Sequence, residues 1–200
     1  PYGVFALLAA LVAESPSVDL FKALGWYAMT VVFGLILMVA IYVTLVFVFT
    51  KKKPKFFING ISPAQLLAFS TSSSAATLPV TMERVTEHLG VEEEVASFVL
   101  PIGATINMDG TSLYQAVAAV FIAQAFGMDL DFSTQLGIIA TATLASIGSA
   151  AVPGAGMVML VGVLGYAGIP EAGLALIFAV DRPLDCLLYT SDAADDGLSV

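Results

Sequence analysis

The chain has 200 residues, of which 58% are hydrophobic and only 12% are charged, and its mean hydropathy is +0.94. This composition lies outside the range of water-soluble domains and indicates a membrane protein. A net charge of −9 with seven Lys and Arg residues argues against nucleic acid as a partner, because phosphate binding needs clustered basic side chains. One cysteine and one histidine are too few for an intrachain disulfide framework or a His-rich zinc site.

The N-terminal segment, residues 1–23, opens at Pro1 inside an apolar run, without an initiating Met or a preceding basic region. A signal peptide is therefore not predicted, and we interpret the chain as an internal fragment of a longer protein. The run from Pro1 to Ala13 is typical of the remainder of a transmembrane helix. It is closed by a polar stretch that begins at Glu14.

Residues 24–55 contain the clearest predicted membrane span. The stretch from Leu24 to Thr50 has no charged residue and would be roughly 40 Å long as a helix, against a hydrocarbon core of about 30 Å. Four lysines follow it directly, and the positive-inside rule places that end in the cytoplasm. A specific site for anionic lipid is the alternative interpretation of this cluster. The lysines are Lys51, Lys52, Lys53 and Lys55.

Residues 56–94 predict a helix that enters the membrane without crossing it. Ser62 and Pro63 indicate a helix start, and the apolar stretch after them is too short to span before TSSSAATLP, Thr71 to Pro79. The chain then becomes charged, which is typical of a return to water. We therefore predict a re-entrant hairpin, in which protein or a wet cavity must satisfy the broken backbone. His88 and the nearby glutamates fit a solvated loop without catalytic chemistry.

Two further apolar segments are also interrupted, and the later of them matches the first break. Residues 95–128 are apolar and of spanning length but contain GATINMDGT, Gly103 to Thr111, which predicts a partly unwound helix. Residues 129–168 are again apolar and are broken by SIGSAAVPGAG, Ser146 to Gly156, which shares a Ser-Ala-Ala core with the first break. Paired interrupted segments of this kind indicate an inverted-repeat transporter with its site at the two breaks.

Asp109 is the strongest candidate for chemistry, because an isolated carboxylate at membrane depth is costly unless it is paired, protonated or bound to a cation. Asn107 adds an amide oxygen, and glycines on either side allow the helix to unwind and turn carbonyls inward. Such hard oxygen ligands suit Na+ and also suit a proton carrier. A buried structural Asp without an ion is the alternative. The carbonyls in question belong to Gly103, Thr105 and Asn107.

The two breaks also offer groups that suit a carboxylate. Each break exposes the N-terminus of the half-helix that follows it, with unpaired amides and a partial positive charge. Ser73, Ser74 and Thr111 would add hydroxyl donors. The alternative is that small residues only let helices approach closely. In the last predicted helix, which starts within residues 169–188, Asp181 and Asp185 share one side and could meet an ammonium group or mark a polar helix end.

Together these residues resemble one family, the dicarboxylate/amino acid:cation symporters, which include sodium-coupled glutamate and aspartate transporters. TSSSAATLP resembles the tip of the family's first re-entrant hairpin, NMDGT its unwound seventh span, and SIGSAAVPGAG the tip of its second hairpin. The resemblance covers nearly everything from Pro1 to about Asp185. It implies an elevator-type transporter core, a homotrimer in the full-length parent, and residues 1–23 as a remnant of the scaffold.

The resemblance also implies a role for individual residues. The substrate carboxylate would be held at Ser73 and Ser74, with the Ser72 carbonyl near the amino group, which Asp185 would receive. Thr111 would touch the substrate side chain, and a lid would close over the site. The resemblance implies that the lid is Val152, Pro153, Gly154, Ala155 and Gly156, and that the cation sites are Asn107 with Asp109, then Gly103 with Asn107, then Thr105, Ser146, Ile147 and Ser149.

The chain departs from the family pattern after Asp185. Members that carry acidic amino acids have an arginine three residues later, followed by an asparagine and an aspartate, where this chain has Leu188, Asp192 and Asp196. A divergent family member is one interpretation of this departure. Because the resemblance stops abruptly rather than fading, we favour the other, in which the native sequence ends near Asp185 and residues 189–200 are a non-native tail.

We therefore predict an all-α membrane protein of multi-pass helices, with two re-entrant helical hairpins in an inverted repeat. It would be a secondary active transporter of the cell membrane, in contact with membrane lipids and without catalytic residues or a resident cofactor. It would couple Na+ or H+ to a small anionic substrate: glutamate, aspartate or a C4-dicarboxylate. An intramembrane serine hydrolase would need a His or Lys as a base beside its serine, and the one histidine of this chain is in the charged loop. An ion channel would conduct without coupled substrate, and both remain alternative hypotheses.

Overall fold

The computed structural model describes residues 18–196. This part of the chain consists of helices joined by short turns and has no β-strand, so the predicted all-α class is confirmed for it. The predicted helix remnant at Pro1 to Ala13 and the last four residues of the predicted tail lie outside the described residues. The helices are α1 Val18–Thr50, α2 Pro54–Thr71, α3 Ser74–Arg84, α4 Glu93–Ile106, α5 Asp109–Ala125, α6 Phe132–Ile147, α7 Ala155–Ala167 and α8 Leu174–Asp196, with a π-helical turn at Val85–Leu89 and a 3₁₀ turn at Glu171–Gly173.

Helix α1 contains the single span, among the described residues, that is long and apolar enough to cross a membrane. This span is Phe21–Thr50, with a mean hydropathy of 2.9, and most of its surface is not covered by the rest of the chain. Large apolar side chains such as Trp26, Phe33 and Phe49 point outward. The helix ends where Lys51 adopts a left-handed conformation with φ of 56°. An outward face of this kind suits lipid or further protein.

Helix α2 begins earlier than the sequence indicated, and the prediction of a start at Ser62 and Pro63 is wrong. Pro54 occupies the first turn, where its missing N–H costs nothing, and Pro63 lies inside the helix. Pro63 cannot donate to the carbonyl of Asn59. That carbonyl accepts instead from Ser62 Oγ at 3.3 Å and from Arg84 Nη2 at 3.5 Å, so the helix continues.

The helices are interrupted at the three predicted places. Ser72 and Ser73 separate α2 from α3, Asn107 and Met108 separate α4 from α5, and residues 148–154 separate α6 from α7. The helices on either side of the first and third interruptions pack against each other, as α2 with α3 and α6 with α7. The chain therefore holds two helix pairs with a broken tip each.

Helix α8 is the element around which the others gather, because it contacts α1, α2, α3, α4 and α5. The main hydrophobic core lies between α1, α5, α6, α7 and α8, and it includes fully buried Val31, Ala118, Ile138, Leu160 and Ile177. Small residues let the elements around α8 approach closely. At Gly173, for example, an added Cβ would collide with Ile122 Cγ2 of α5. This packing fixes α8 beside all three interruptions.

Replacing Leu160 with alanine tests this core. Leu160 is fully buried, whereas Leu144 on the neighbouring helix α6 is 71% exposed. We expect Leu160→Ala to lower the free energy of unfolding by about 2 to 5 kcal/mol, because it leaves a cavity. Leu144→Ala, the matched control, should cost less than about 0.5 kcal/mol. The measurement is denaturant unfolding of the purified protein in detergent, and equal losses for the two variants would contradict the described packing.

Candidate functional site

The tips of the two helix pairs meet each other and α8. Ser73 Oγ, at the first tip, donates a hydrogen bond to the carbonyl of Ala151 at the second tip over 2.7 Å. The backbone N–H of Gly154, also at the second tip, donates to Asp185 Oδ2 on α8 over 3.2 Å. Three segments that are far apart in the sequence therefore form one polar cluster.

The first tip is built by three consecutive serines, all buried. Ser72 adopts the left-handed conformation, with φ of 49°, and ends α2 with its N–H donating to Ala68. Ser73 caps α3, because its Oγ accepts from the N–H of Ala76 at 3.2 Å. Ser74 Oγ is buried without a hydrogen-bond partner. The first tip thus has one hydroxyl that packing leaves unused.

The second tip is built on glycine. Gly154 has a φ of 80°, which favours glycine, and it precedes the first turn of α7. Ser149 Oγ is buried and has no hydrogen-bond partner, so this tip also has an unused hydroxyl. Gly156 lies against α5: its carbonyl accepts from Gln115 Nε2 at 3.2 Å, and a Cβ added there would lie 3.6 Å from Thr111 Cγ2. Thr111 is thereby placed beside the predicted lid.

The break between α4 and α5 presents Asn107 and Asp109. Asn107 ends α4 and its N–H donates to the Gly103 carbonyl over 2.7 Å, while Asp109 begins α5. Asp109 is exposed at the surface of the described part of the chain. Tyr42 of α1 donates a hydrogen bond to its Oδ2 over 3.1 Å. The structure therefore anchors this carboxylate from a helix that the motif does not include.

The other predicted cation ligands are divided between buried and exposed positions. Gly103 is buried, and so are Ser146 and Ser149, whereas Thr105 and Ile147 are exposed. The carbonyl of Ser146 accepts from the N–H of Ser149 over 3.0 Å. Helices α4 and α6, which carry most of these residues, touch each other.

Asp181 and Asp185 are both buried within α8, which favours a site over a polar helix end. Asp181 accepts from the Tyr114 hydroxyl over 2.6 Å. Asp185 lies 3.5 Å from Arg182 Nη1, and the Arg182 side chain is 56% exposed against 6% for Asp185. Sequence reasoning missed Tyr114 and Arg182. Tyr114 lies one turn after Thr111, and that spacing is the signal that could have identified it.

The helix continues beyond Asp185 through the residues that depart from the family pattern. Leu188 is buried, and Asp192 accepts from the N–H of Gly110 at 2.8 Å and from Thr111 Oγ1 at 3.2 Å. Ser72 Oγ lies 3.1 Å from Cys186 Sγ. The non-native origin of residues 189–200 stays a prediction, and we define the site by residues up to Asp185.

Comparison with known proteins gives the family. The model of the "Sodium:dicarboxylate symporter family" matches residues 1–190. Similar proteins include "Excitatory amino acid transporter 5" of Mus musculus, 48% identical over 100% of this chain and 36% of the relative. "Excitatory amino acid transporter 1" of Ambystoma tigrinum is 46% identical over 99% of this chain and 37% of the relative. "Excitatory amino acid transporter" of Caenorhabditis elegans is 44% identical over 99% of this chain and 40% of the relative. The chain thus spans 36% to 40% of the length of these relatives.

Replacing Ser73 with alanine tests the link between the two tips. The change removes both the α3 cap and the hydrogen bond to Ala151, each worth about 1 kcal/mol. We expect residues 148–156 to exchange their amide hydrogens about fivefold to thirtyfold faster, measured by hydrogen–deuterium exchange with mass spectrometry. Ser70→Ala is the matched control, because Ser70 is exposed and bonds only within α2. Unchanged exchange in Ser73→Ala would contradict the link.

Proposed function

The chain belongs to the sodium:dicarboxylate symporter family, and we propose that its parent protein couples sodium entry to the uptake of glutamate, aspartate or a C4-dicarboxylate. The observation that carries this proposal is the contact of two broken helix tips with each other and with a buried carboxylate on α8. A membrane location follows from the family, and we propose the cell membrane, with a multi-pass topology. The names of the relatives, excitatory amino acid transporters, support an acidic amino acid as substrate.

The substrate would lie between the two tips. The N-termini of α3 and α7 carry partial positive charge, which suits a carboxylate. Ser74 would supply a hydroxyl donor to the carboxylate, and Ser73 would supply another once its hydroxyl leaves the Ala151 carbonyl. The Ser72 carbonyl would lie near the amino group. The buried Ser74 Oγ, which has no partner, supports this assignment. Thr111 would touch the substrate side chain, since it lies beside Gly156.

Asp185 would receive the substrate amino group. Its carboxylate is buried, and its contacts are the Gly154 N–H and the half-exposed Arg182. A substrate ammonium could replace the weaker contact to Arg182 at 3.5 Å, because a charge-assisted hydrogen bond is shorter and stronger. The lid would be residues 152–156. Because Gly154 of the lid contacts Asp185, binding of a substrate amino group to Asp185 would affect whether the lid closes.

Sodium would bind beside the substrate as a co-transported ion. Asn107 and Asp109 would form one site, and the carbonyls of Gly103 and Asn107 another. Ser149 Oγ is buried without a partner, which supports a ligand near the second tip. The proposed third site has the carbonyls of Thr105, Ser146, Ile147 and Ser149. Carboxylate, amide and carbonyl oxygens suit a hard cation, and a proton is the other candidate for Asp109.

We further propose that each helix pair is a re-entrant hairpin and that the core moves as an elevator. Two features support the hairpins: α2 packs on α3, and α6 packs on α7. Helices α3, α6 and α7, with 11, 16 and 13 residues, are shorter than a membrane span, and α2, with 18, is not among the helices apolar enough to cross one. The shared Ser-Ala-Ala tips support an inverted repeat. The exposed apolar face of α1 would meet lipid or the scaffold of a homotrimer in the full-length parent.

Uptake by the full-length parent in proteoliposomes tests sodium coupling. We expect labelled aspartate to accumulate only with an inward sodium gradient, and Asp109→Ala to reduce the rate by about tenfold or more, because it removes a charged cation ligand. Asp129→Ala is the matched control, since Asp129 is exposed in the loop between α5 and α6. Uptake that persists without sodium and proton gradients, or that is unaffected by Asp109→Ala, would contradict the proposal.

Replacing Asp185 with asparagine tests the amino-group site. We expect the KM for aspartate to rise about tenfold to a hundredfold, because a charge-assisted hydrogen bond worth about 1.5 to 3 kcal/mol is lost. Inhibition of uptake by succinate, which has no amino group, should change much less. The comparison of the two ligands in competition assays is the control. Equal losses for aspartate and succinate would show that Asp185 does not bind the amino group.

A further inference from the structure

Tyr42 lies far outside the motifs that carry the proposed site, yet it contacts Asp109. Its hydroxyl donates to Asp109 Oδ2 over 3.1 Å, across 67 positions of sequence. Tyr42 is 6% exposed, and its ring packs in a small hydrophobic cluster with Phe57 and Ile61 of α2. The hydroxyl is thus held by a ring that packing between α1 and α2 fixes in place.

The carboxylate on the other side of this hydrogen bond is poorly confined. Asp109 is the first residue of α5, directly after the Asn107–Met108 break, and it is exposed within the described part of the chain. An exposed carboxylate at a helix start can take several side-chain rotamers, and ordering it reduces the affinity for a cation that binds there. A hydrogen bond from a buried tyrosine removes part of that cost.

The geometry also leaves the carboxylate able to bind a cation. A tyrosine hydroxyl is a neutral donor, so it orients the charge of Asp109 without neutralising it, whereas a lysine or arginine would compete with the cation. Tyrosine has few rotatable bonds, and its ring is buried in the α1–α2 cluster, so the donor itself costs little to order. These are the properties of a hydrogen-bond partner that orients a metal ligand without contacting the metal ion.

We propose that Tyr42 is a positioning residue for sodium: it holds the Asp109 carboxylate in the orientation that binds the coupling cation. This inference rests on the proposed sodium site at Asp109 and adds to it a contribution from the long membrane helix α1. Tyr42 touches the ligand rather than the ion. Its contribution is to the affinity for sodium, and the substrate site between the two tips does not depend on it directly.

The test is Tyr42→Phe in the full-length parent, which keeps the ring and removes the hydroxyl. We expect the half-saturating sodium concentration for aspartate uptake to rise about tenfold, the usual effect of losing a partner of a metal ligand. At saturating sodium, the maximal rate and the KM for aspartate should stay unchanged. Tyr166→Phe on α7 is the matched control, because Tyr166 is 58% exposed and belongs to no hydrophobic cluster described above.

A direct binding measurement makes the result independent of transport. Isothermal titration calorimetry of the purified parent with sodium chloride, with choline chloride as the ionic-strength control, should give a weaker sodium affinity for Tyr42→Phe. In the Asp109→Ala background the same change should have no further effect on the affinity, since the acceptor is gone. Thermal unfolding in detergent monitors packing, and we expect Tyr42→Phe to unfold at the wild-type temperature.

Two outcomes separate this inference from the proposed function. If Asp109→Ala abolishes sodium dependence while Tyr42→Phe matches Tyr166→Phe, the sodium site stands and the role of Tyr42 is overturned. If Asp109→Ala itself leaves sodium dependence unchanged, the proposed sodium site is wrong. A loss of thermal stability in Tyr42→Phe without any change in sodium affinity would assign the hydroxyl a structural role and would also overturn the inference.

Discussion

The structure depends on one constraint: each interrupted helix leaves backbone and capping groups that must find hydrogen-bond partners elsewhere in the chain. The two tips and α8 supply these partners to one another. Ser73 caps α3 and donates to Ala151 of the second tip, and Gly154 of the second tip donates to Asp185. The helix that carries Asp185 must therefore lie beside both tips, and α8 does so by contacting five other helices.

The same constraint is the physical reason for placing the proposed binding site where the chain breaks. A helix that continued through Ser72 and Ser73 would use its amides and carbonyls internally and would offer a ligand nothing but side chains. Once it breaks, the serine hydroxyls turn to partners outside the helix, as Ser73 does to Ala151, and Ser74 Oγ stays without a protein partner. In the proposed site, the loss of regular backbone pairing is therefore also what supplies the ligand-binding groups.

The sequence was informative about local features and uninformative about contacts between distant segments. The Ser-Ala-Ala runs and NMDGT located all three interruptions, because runs of small and polar residues disfavour a continuous helix within an apolar stretch. The prediction at Pro63 was wrong because the Asn59 carbonyl, which the proline leaves without its usual donor, accepts from Arg84 in another element. The contacts of Tyr42 with Asp109 and of Tyr114 with Asp181 span 67 positions each. The Thr111 spacing could have marked Tyr114 as lying on the same side of α5, but no spacing rule could reveal its partner.

The proline inside α2 has a consequence for how this protein can change during evolution. The carbonyls of Asn59 and Gly60 accept from the guanidinium of Arg84, so one side chain of α3 completes a helix that proline would otherwise weaken. Pro63 and Arg84 are then a linked pair. Loss of the arginine leaves the Asn59 carbonyl with the Ser62 hydroxyl alone, while loss of the proline would restore the usual N–H donor to that carbonyl and leave Arg84 its bond to Gly60. Replacement of Arg84 therefore removes more hydrogen bonding from α2 while Pro63 is present than it would if residue 63 carried its own N–H.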